Sequence, residues 1–281
     1  MRLFHFLKRY RCDRKAPVKN FRKKERSVEL DDDRMPVGFD TMLVVDEFGS
    51  LGSISPNENV FGMTVTQVKD PEEFGSITDD SRLRIGHEAK AARDSRFLDV
   101  CDEIATRGYR SNTIYVDKRM PPNGYECWRG KTHVPLMLRK ALDESEPLMD
   151  GNTFVVVDYH TAYGGSLGDL ISKPYSRNGR IVDGDWFHST GTQFGPVLQT
   201  EDYVAFASHK YIEGGASESD GSGEYIVVPD PIIENGRVVG YNESGSGFHV
   251  RHVDEDYQKA MSRIGTRIVR IREGDSFDDE S

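Results

Sequence analysis

The sequence has no long hydrophobic run and few cysteines, and both absences narrow the classes of protein to which it can belong. No apolar stretch approaches the ~18 residues that a membrane-spanning helix needs, which excludes a helical transmembrane protein. The three cysteines form no Cys-x-x-Cys pair, which excludes a disulfide scaffold and the usual zinc ribbons. The N-terminus also lacks the apolar core and cleavage site of a secretory signal, so we expect a reducing, cytoplasmic compartment and no membrane partner.

Positive charge is scarce over most of the chain and is concentrated at its beginning. Residues 1–27 carry 11 of the 37 Lys and Arg residues and only 2 of the 47 Asp and Glu residues, a local net charge of +9 on a body of −19. A basic arm on an acidic body is typical of a tail that meets a polyanion, and we expect it to bind nucleic acid. The alternative is a solvated tail that balances the acidic body.

The 281 residues suffice for one large domain or two small ones. Changes in composition divide the chain into four predicted units. These are a basic flexible arm at 1–36, a main domain at 37–215, an extension with short strands and a helix at 216–272, and an acidic disordered tail at 273–281.

Three apolar runs that are typical of buried strands each end in an aspartate, namely Asp46, Asp117 and Asp158. Aspartate is common after a strand because it caps turns, so local structure explains any one of them. If the strands are parallel neighbours, however, the three carboxylates meet at one edge of the sheet. That edge is where α/β folds place their ligand sites.

Crowded carboxylates predict a metal site. They repel one another by several kcal/mol unless a cation neutralises them. Hard oxygen ligands of this kind favour Mg²⁺ or Mn²⁺. Two such ions about 4 Å apart activate water and stabilise the leaving oxygen in phosphodiester hydrolysis. The chemistry therefore indicates a divalent-metal-dependent nuclease.

The order of these elements and several short motifs resemble the DUF3800 family, which is similar in fold to ribonuclease H. The motifs are Val45-Asp46-Glu47-Phe48-Gly49, Val116-Asp117-Lys118, Leu198-Gln199-Thr200-Glu201-Asp202 and, more loosely, His87-Glu88-Ala89-Lys90. Phe48 replaces the usual serine. Glu201 replaces a small residue, and it either joins the site or points to solvent. The resemblance spans about residues 40–215. It implies an α/β, ribonuclease H-like mixed sheet, with an antiparallel hairpin plus parallel strands flanked by helices, and a divalent-metal nuclease geometry.

Each candidate residue receives a role from these patterns. The predicted metal ligands are Asp46, Asp117, on the strand expected beside that of Asp46, and Asp202, on a late helix. Asp158 and Glu88 are either further ligands or supports for them. Asp202 has an alternative explanation as a carboxylate in the first turn of its helix.

The predicted substrate contacts are Lys118, Gln199, His209 and Lys210. Lys118 is alternatively an ordinary surface lysine. His209 and Lys210 alternatively interact with the carboxyl end of their helix, which favours cations.

Two further functions compete with a nuclease. One is a catalytically inactive ribonuclease H-like module that binds nucleic acid or a protein partner, which the acidic body favours. The other is a phosphate-ester or nucleotide hydrolase that uses the same carboxylates. A distance criterion separates the nuclease from the inactive module. Bridging ions are possible if the carboxylates lie within ~5–8 Å of one another, namely those of Asp46, Asp117 and Asp202.

Overall fold

A seven-stranded mixed sheet forms the centre of the molecule, and a two-stranded hairpin lies outside it. In this computed structural model the described residues are 27–49, 60–79, 94–118, 130–158, 175–189, 191–213, 231–234, 237–241, 264 and 266–271. The strands are β1 (Thr41–Gly49), β2 (Val60–Val68), β3 (Arg110–Asp117), β4 (Thr153–Asp158), β5 (Tyr175–Arg177), β6 (Arg180–Phe187), β7 (Pro231–Glu234), β8 (Arg237–Tyr241) and β9 (Arg267–Ile271). The large sheet has the order β5-β6-β4-β1-β2-β3-β9, and β7 pairs with β8.

Helices cover both faces of the large sheet. They are α1 (Pro71–Asp79), α2 (Asp94–Thr106), α3 (Gly130–Glu144) and α4 (Gly195–Glu213), with a short 3-10 helix at Glu146–Leu148. Helices α1, α2 and α4 pack on the face of β1 that carries Met42 and Val44. Helix α3 packs on the opposite face, with Leu43 and Val45. Among the helices of the described residues, none is long and apolar enough to cross a membrane.

The continuous apolar run of β1 explains its central position. Strand β1 is hydrogen-bonded on both edges, antiparallel to β2 and parallel to β4. Its residues Met42 to Val45 are each at most 1% exposed, because helices cover both faces of the sheet. Strands that are buried on both faces have this uninterrupted apolar pattern. The predicted fold class is confirmed: the chain has an α/β fold whose mixed sheet joins an antiparallel hairpin to parallel strands between helices.

Buried hydroxyl pairs fix helix α4 over the sheet. The Oγ1 atom of Thr200 lies 2.9 Å from Oγ1 of Thr78 on α1, and it donates to the Phe74 carbonyl at 3.1 Å. Two turns later, the Oγ atom of Ser208 lies 2.9 Å from Oγ1 of Thr113 on β3. Because unpaired buried hydroxyls are costly, these pairs restrict how α4 sits on the sheet. They determine which of its side chains face β1 and β2.

Residues 27–36 are folded against the domain, whereas the sequence predicted them as the end of a flexible arm. Met35 is only 5% exposed and belongs to the core on the α4 side. The Val28 carbonyl accepts a hydrogen bond of 3.2 Å from Nε2 of Gln193. Apolar side chains within this polar stretch therefore anchor it.

Strand β9 lies within the predicted extension, and it forms an edge of the large sheet, parallel to β3. Ile268 and Ile271 are each 3% exposed, so their burial against the sheet explains the pairing. The hairpin of β7 and β8 belongs to the same extension. Residues 1–26 of the arm and the tail at 273–281 lie outside the described residues, and the division into four units stays a prediction.

Candidate active site

The alternation of β1 places Asp46 in the core, under helix α4. Met42, Val44 and Phe48 pack on the α4 side of the sheet. Since strand residues alternate between the two faces, Asp46 points to the same side. Its side chain is 5% exposed, and its Oδ1 atom accepts a 2.7 Å hydrogen bond from the backbone amide of Glu47. Asp46 is therefore a buried carboxylate on the central strand.

Asp158 lies beside Asp46 on the neighbouring parallel strand. The register pairs Val45 with Val157, so the next residues along both strands, Asp46 and Asp158, are level. Val156 packs on the α4 side, and alternation places Asp158 on that side too. Neighbouring strands are about 4.8 Å apart. Two carboxylates thus stand side by side at the carboxyl edge of the sheet.

Helix α4 supplies a third carboxylate, that of Asp202. The helix begins at Gly195, so Asp202 lies in its third turn. The alternative explanation of Asp202 as a first-turn carboxylate is therefore wrong. Leu198 and Val204 are buried, whereas Asp202 is half-buried. Among the charges that act on Asp46, that of Asp202 has the largest effect.

The pKa of Asp46 is raised well above its ordinary value. Burial is the largest cause, and the negative charges of Asp202, Glu47, Asp158 and Glu201 add to it in that order. Removal from water disfavours the ionised form, and neighbours of like charge act in the same direction. A proton or a bound cation relieves this repulsion. Perturbed carboxylates of this kind are typical of functional sites.

Glu201, which the sequence left undecided between site and solvent, points into the protein. It is 0% exposed. Burial raises its pKa to about 8, Asp202 adds to the rise, and the hydroxyls of Thr66 and Thr64 oppose it. Because successive helical residues are about 100° apart, Glu201 faces β2 while Asp202 faces the half-exposed side.

Asp117 does not lie beside Asp46, and the predicted adjacency of their strands is wrong. Strand β2 lies between β1 and β3, because it pairs antiparallel with both. Asp46 is level with Thr64 and Thr113, so Asp117 is four residues farther along the sheet. In an ideal sheet the Cα atoms of Asp46 and Asp117 are roughly 16 Å apart. The Oδ2 atom of Asp117 instead lies 3.7 Å from the guanidinium of Arg270 on β9.

Two further predicted residues are Lys118 and Glu88. Lys118 is 0% exposed, so its alternative explanation as an ordinary surface lysine is wrong. Its ammonium group is not presented to a phosphate in solution. Glu88 lies outside the described residues, and its role stays a prediction.

The remaining substrate contacts share one half-exposed side of α4 with Asp202. This α4 stripe consists of Gln199, Asp202, Phe206, His209 and Lys210. The Nε2 atom of Gln199 donates to the Ser189 carbonyl at 3.0 Å. The ring centroid of His209 lies 5.5 Å from that of Phe48, and Nζ of Lys210 lies 5.5 Å from the Phe206 centroid. His209 follows Asp202 by about two turns, or roughly 10 Å along the helix.

The chemistry of the donor set fits a hard divalent cation, although the side chains do not converge on one point. Among the described residues, no three Asp, Glu, His or Cys side chains are arranged to hold a metal ion as they stand. Asp46, Asp158 and Asp202 nevertheless supply the oxygen donors that Mg²⁺ and Mn²⁺ prefer. The pKa of Asp46 is raised by burial and by the neighbouring carboxylates, and a cation relieves the repulsion among them. Binding would therefore require these side chains to turn toward a common point.

Comparison with known proteins gives one structural likeness. No protein-family model and no curated protein matches the chain. Among solved structures, the chain is similar to a protein chain in the structure of the complex of PCNA with RNase HII from Archaeoglobus fulgidus. The identity is 11%, the TM-score is 0.40, and the match covers 62% of this chain and 75% of that chain. A likeness at this level assigns no activity to this chain.

Proposed function

We propose that this chain is a nuclease that hydrolyses phosphodiester bonds with Mg²⁺ or Mn²⁺. The observation that carries the proposal is the position of Asp46 and Asp158, side by side where the parallel pairing of β1 with β4 ends, with Asp202 on the helix above them. The mixed sheet with its antiparallel hairpin has the architecture that the resemblance of the sequence motifs to the DUF3800 family implies. The resemblance implies the same metal chemistry.

The carboxylates of Asp46, Asp158 and Asp202 would hold the metal ions. The charges of both Asp158 and Asp202 act on Asp46, so Asp46 would hold an ion together with either of them. Asp158 replaces Asp117 as its strand-end partner, because the sheet separates Asp117 from Asp46. When bound, divalent ions activate water and stabilise the leaving oxygen. Burial under α4 keeps the dielectric low, which strengthens these electrostatic contacts.

The α4 stripe is the proposed contact surface for the substrate backbone. Lys210 lies on the same half-exposed side of α4 as Asp202, and phosphate oxygens accept hydrogen bonds from such an ammonium group, whereas Nε2 of His209 is buried. The basic arm, at +9, provides a second, sequence-independent attraction to nucleic acid. Both features favour a polynucleotide over a small phosphate ester.

The test is cleavage of single- and double-stranded DNA and RNA by the full chain with Mg²⁺, Mn²⁺ or EDTA. We expect cleavage that EDTA abolishes. We expect Asp46→Asn and Asp158→Asn each to lower the rate by more than about 100-fold. Asp46→Asn should leave the fold intact and, without metal, be at least as stable in urea as the wild type, because it removes a buried like charge.

Asp117→Asn is the matched control, since Asp117 is also a buried strand-end aspartate, 5% exposed like Asp46. We expect it to cleave at nearly the wild-type rate. Loss of cleavage in Asp117→Asn with retention in Asp158→Asn would overturn the assignment. Binding of nucleic acid or a protein without metal-dependent cleavage of any substrate would support the inactive module instead. Cleavage of phosphate monoesters alone would indicate the hydrolase.

A further inference from the structure

One phenylalanine, Phe206, lies among the polar residues of the α4 stripe. It is half-buried, and its ring packs against the core on the α4 side of the sheet. It follows Asp202 by about one helical turn and precedes Lys210 by about one turn, so the three side chains form a row along one side of α4. Side chains at this spacing have Cβ atoms roughly 5–6 Å apart. An apolar ring therefore lies between a proposed metal ligand and a cation.

The ammonium group of Lys210 shows which surface of the ring is turned away from the core. Nζ of Lys210 lies over the Phe206 ring, 5.5 Å from its centroid. A cation in this position interacts with the π face of a ring and not with its edge. The core therefore holds the ring while one of its faces borders the half-exposed side of α4. A flat group can stack on that face in place of the ammonium.

A nucleobase is a flat group that suits this position. In a substrate whose phosphodiester lies at the carboxylates, the bases next to that phosphate are the nearest planar parts. Stacking of a base on an aromatic side chain tolerates any sequence, because every base has a π face. Lysine has a flexible four-carbon stem, so the displaced ammonium of Lys210 can pair with a phosphate of the same strand. Phe206 and Lys210 together thus offer a platform and a charge to one nucleotide.

The other ring on the stripe, that of His209, is already engaged with the core. Its centroid lies 5.5 Å from that of Phe48, with 31° between the ring planes, and its Nε2 atom is buried. Phe48 is itself only 5% exposed. Phe206 is therefore the residue of the stripe that is placed to stack on a base.

We propose that Phe206 stacks on an unpaired base of the substrate, so that the site selects single-stranded nucleic acid. In a duplex each base is paired and lies between its stacked neighbours, so its face is not available to a side chain of the protein. This inference rests on the proposed function, because it names the substrate class of the same site. Its test measures binding and not cleavage.

Fluorescence anisotropy of the full chain in EDTA, with labelled strands of about 12 nucleotides, tests the proposal. The probes are single-stranded DNA, single-stranded RNA, their duplexes, and single strands whose central sugars carry no base. Phe206→Leu keeps an apolar side chain and removes the ring. We expect it to raise the Kd for the DNA strand, the RNA strand or both about 5–100-fold. The Kd values for the duplexes and the abasic strands should stay unchanged. The strand that loses affinity identifies the polymer.

Phe206→Trp reports stacking directly, because a stacked base quenches the fluorescence of indole. We expect quenching by the single strand that the wild type binds and none by its abasic form. The matched control is Ile181→Trp, at a position 49% exposed near the beginning of β6, which is the end of that strand away from the carboxylates. Its fluorescence should not change. The two native tryptophans are common to all variants, so the difference from the wild type isolates the new side chain.

Three results would overturn the proposal. The first is that the wild type binds neither single strand. The second is that Phe206→Leu binds both with wild-type affinity. The third is an equal loss of affinity for single strands and duplexes, since the ring would then shape a general surface. If Phe206→Leu does not fold, as judged by circular dichroism, Phe206→Trp decides: quenching supports the proposal and its absence contradicts it. Stacking without cleavage would contradict the nuclease proposal alone, and cleavage without stacking would contradict this proposal alone.

Discussion

Two consecutive residues of α4 hold their carboxylates in opposite environments. Glu201 is fully buried, and Asp202 is half-buried on the α4 stripe. The residues at helical spacing from Glu201 are the buried Leu198, Val204 and Ala205. This spacing is a sequence signal for the burial of Glu201, because side chains three or four apart share a face. The two residues accordingly predict different measurable effects.

Glu201 makes stability fall as the pH rises. Its pKa is about 8 in the folded chain and near the ordinary 4.5 when unfolded, so between these values the folded state keeps a proton that the unfolded state has lost. The stabilisation is fully present below pH 4.5 and is lost as the pH rises through 8. The slope reaches at most ~1.4 kcal/mol per pH unit.

Urea denaturation between pH 5 and 9, with choline as the only added cation, measures this dependence. We expect Glu201→Gln to gain stability relative to the wild type as the pH rises, because glutamine does not ionise. Because the Glu201 charge also raises the pKa of Asp46, the substitution weakens the pH dependence that Asp46 contributes, which acts in the same direction. A difference that stays constant across this range would contradict the prediction.

Asp202 is predicted to govern metal affinity. In Asp202→Ala we expect the Kd for Mn²⁺ to rise about 10–100-fold. The increase in Tm with Mn²⁺ should shrink accordingly. Gln199→Ala is the control from the same stripe and should keep the wild-type affinity, because its amide is bonded to Ser189. Unchanged affinity in Asp202→Ala would remove α4 from the metal site.

At the scale of elements, the β1–β2 hairpin depends on the absence of one side chain. Gly62 lies opposite Phe48, and a Cβ atom at position 62 would overlap the Phe48 ring. The ring therefore covers the strand at Gly62 and lies against His209. Phe48 is thus a packing residue here.

We expect Gly62→Ala to lower the free energy of unfolding by about 1–3 kcal/mol, since the methyl group overpacks the site. Urea denaturation measures the loss. In the double variant with Phe48→Ala, the penalty of Gly62→Ala should largely vanish, because the clash is removed. Additive effects in this double-mutant cycle would show that the two residues do not interact.

In the sequence, the turn of the β5–β6 hairpin is recognisable, whereas the strand β6 is not. Asn178 and Gly179 both have positive φ angles, 51° and 77°, as a type I′ turn requires. The strand that follows contains Asp183 and Asp185, which are 5% and 4% exposed. Buried aspartates make β6 resemble a loop in sequence. Its pairing with β4 and β5 identifies it as a strand.

Helix α1 was also recognisable from its beginning. The backbone amide of Glu73 donates to Oδ1 of Asp70 at 2.7 Å, as in a helix N-cap. Pro71 occupies the first helical position, which suits a residue without an amide hydrogen. The helix itself is only 9 residues long, which leaves little periodicity to detect.

At the scale of the whole molecule, the charge asymmetry predicts how the chain binds nucleic acid. Deleting residues 1–27 removes a net charge of +9. We expect weaker binding and a flatter dependence of log K on log salt, because fewer counterions are released. Fluorescence anisotropy between 50 and 200 mM salt measures both.

The folded core should survive this deletion, because Val28 and Met35, which anchor the chain, remain. Circular dichroism provides that control. Equal, salt-independent affinities with and without residues 1–27 would mean that the arm is a solvated tail.

The sequence by itself determined the central strands and the acidic residues at their ends. Continuous apolar runs are buried on both faces wherever they fold, so β1, β3 and β4 were recognisable locally. Only the tertiary structure decided which carboxylates meet. Hydrogen bonds between distant segments set the order of strands, and they put β4 rather than β3 beside β1. The carboxylate beside that of Asp46 is therefore that of Asp158 and not that of Asp117. Burial of Lys118 likewise depends on packing between elements, which no local pattern encodes.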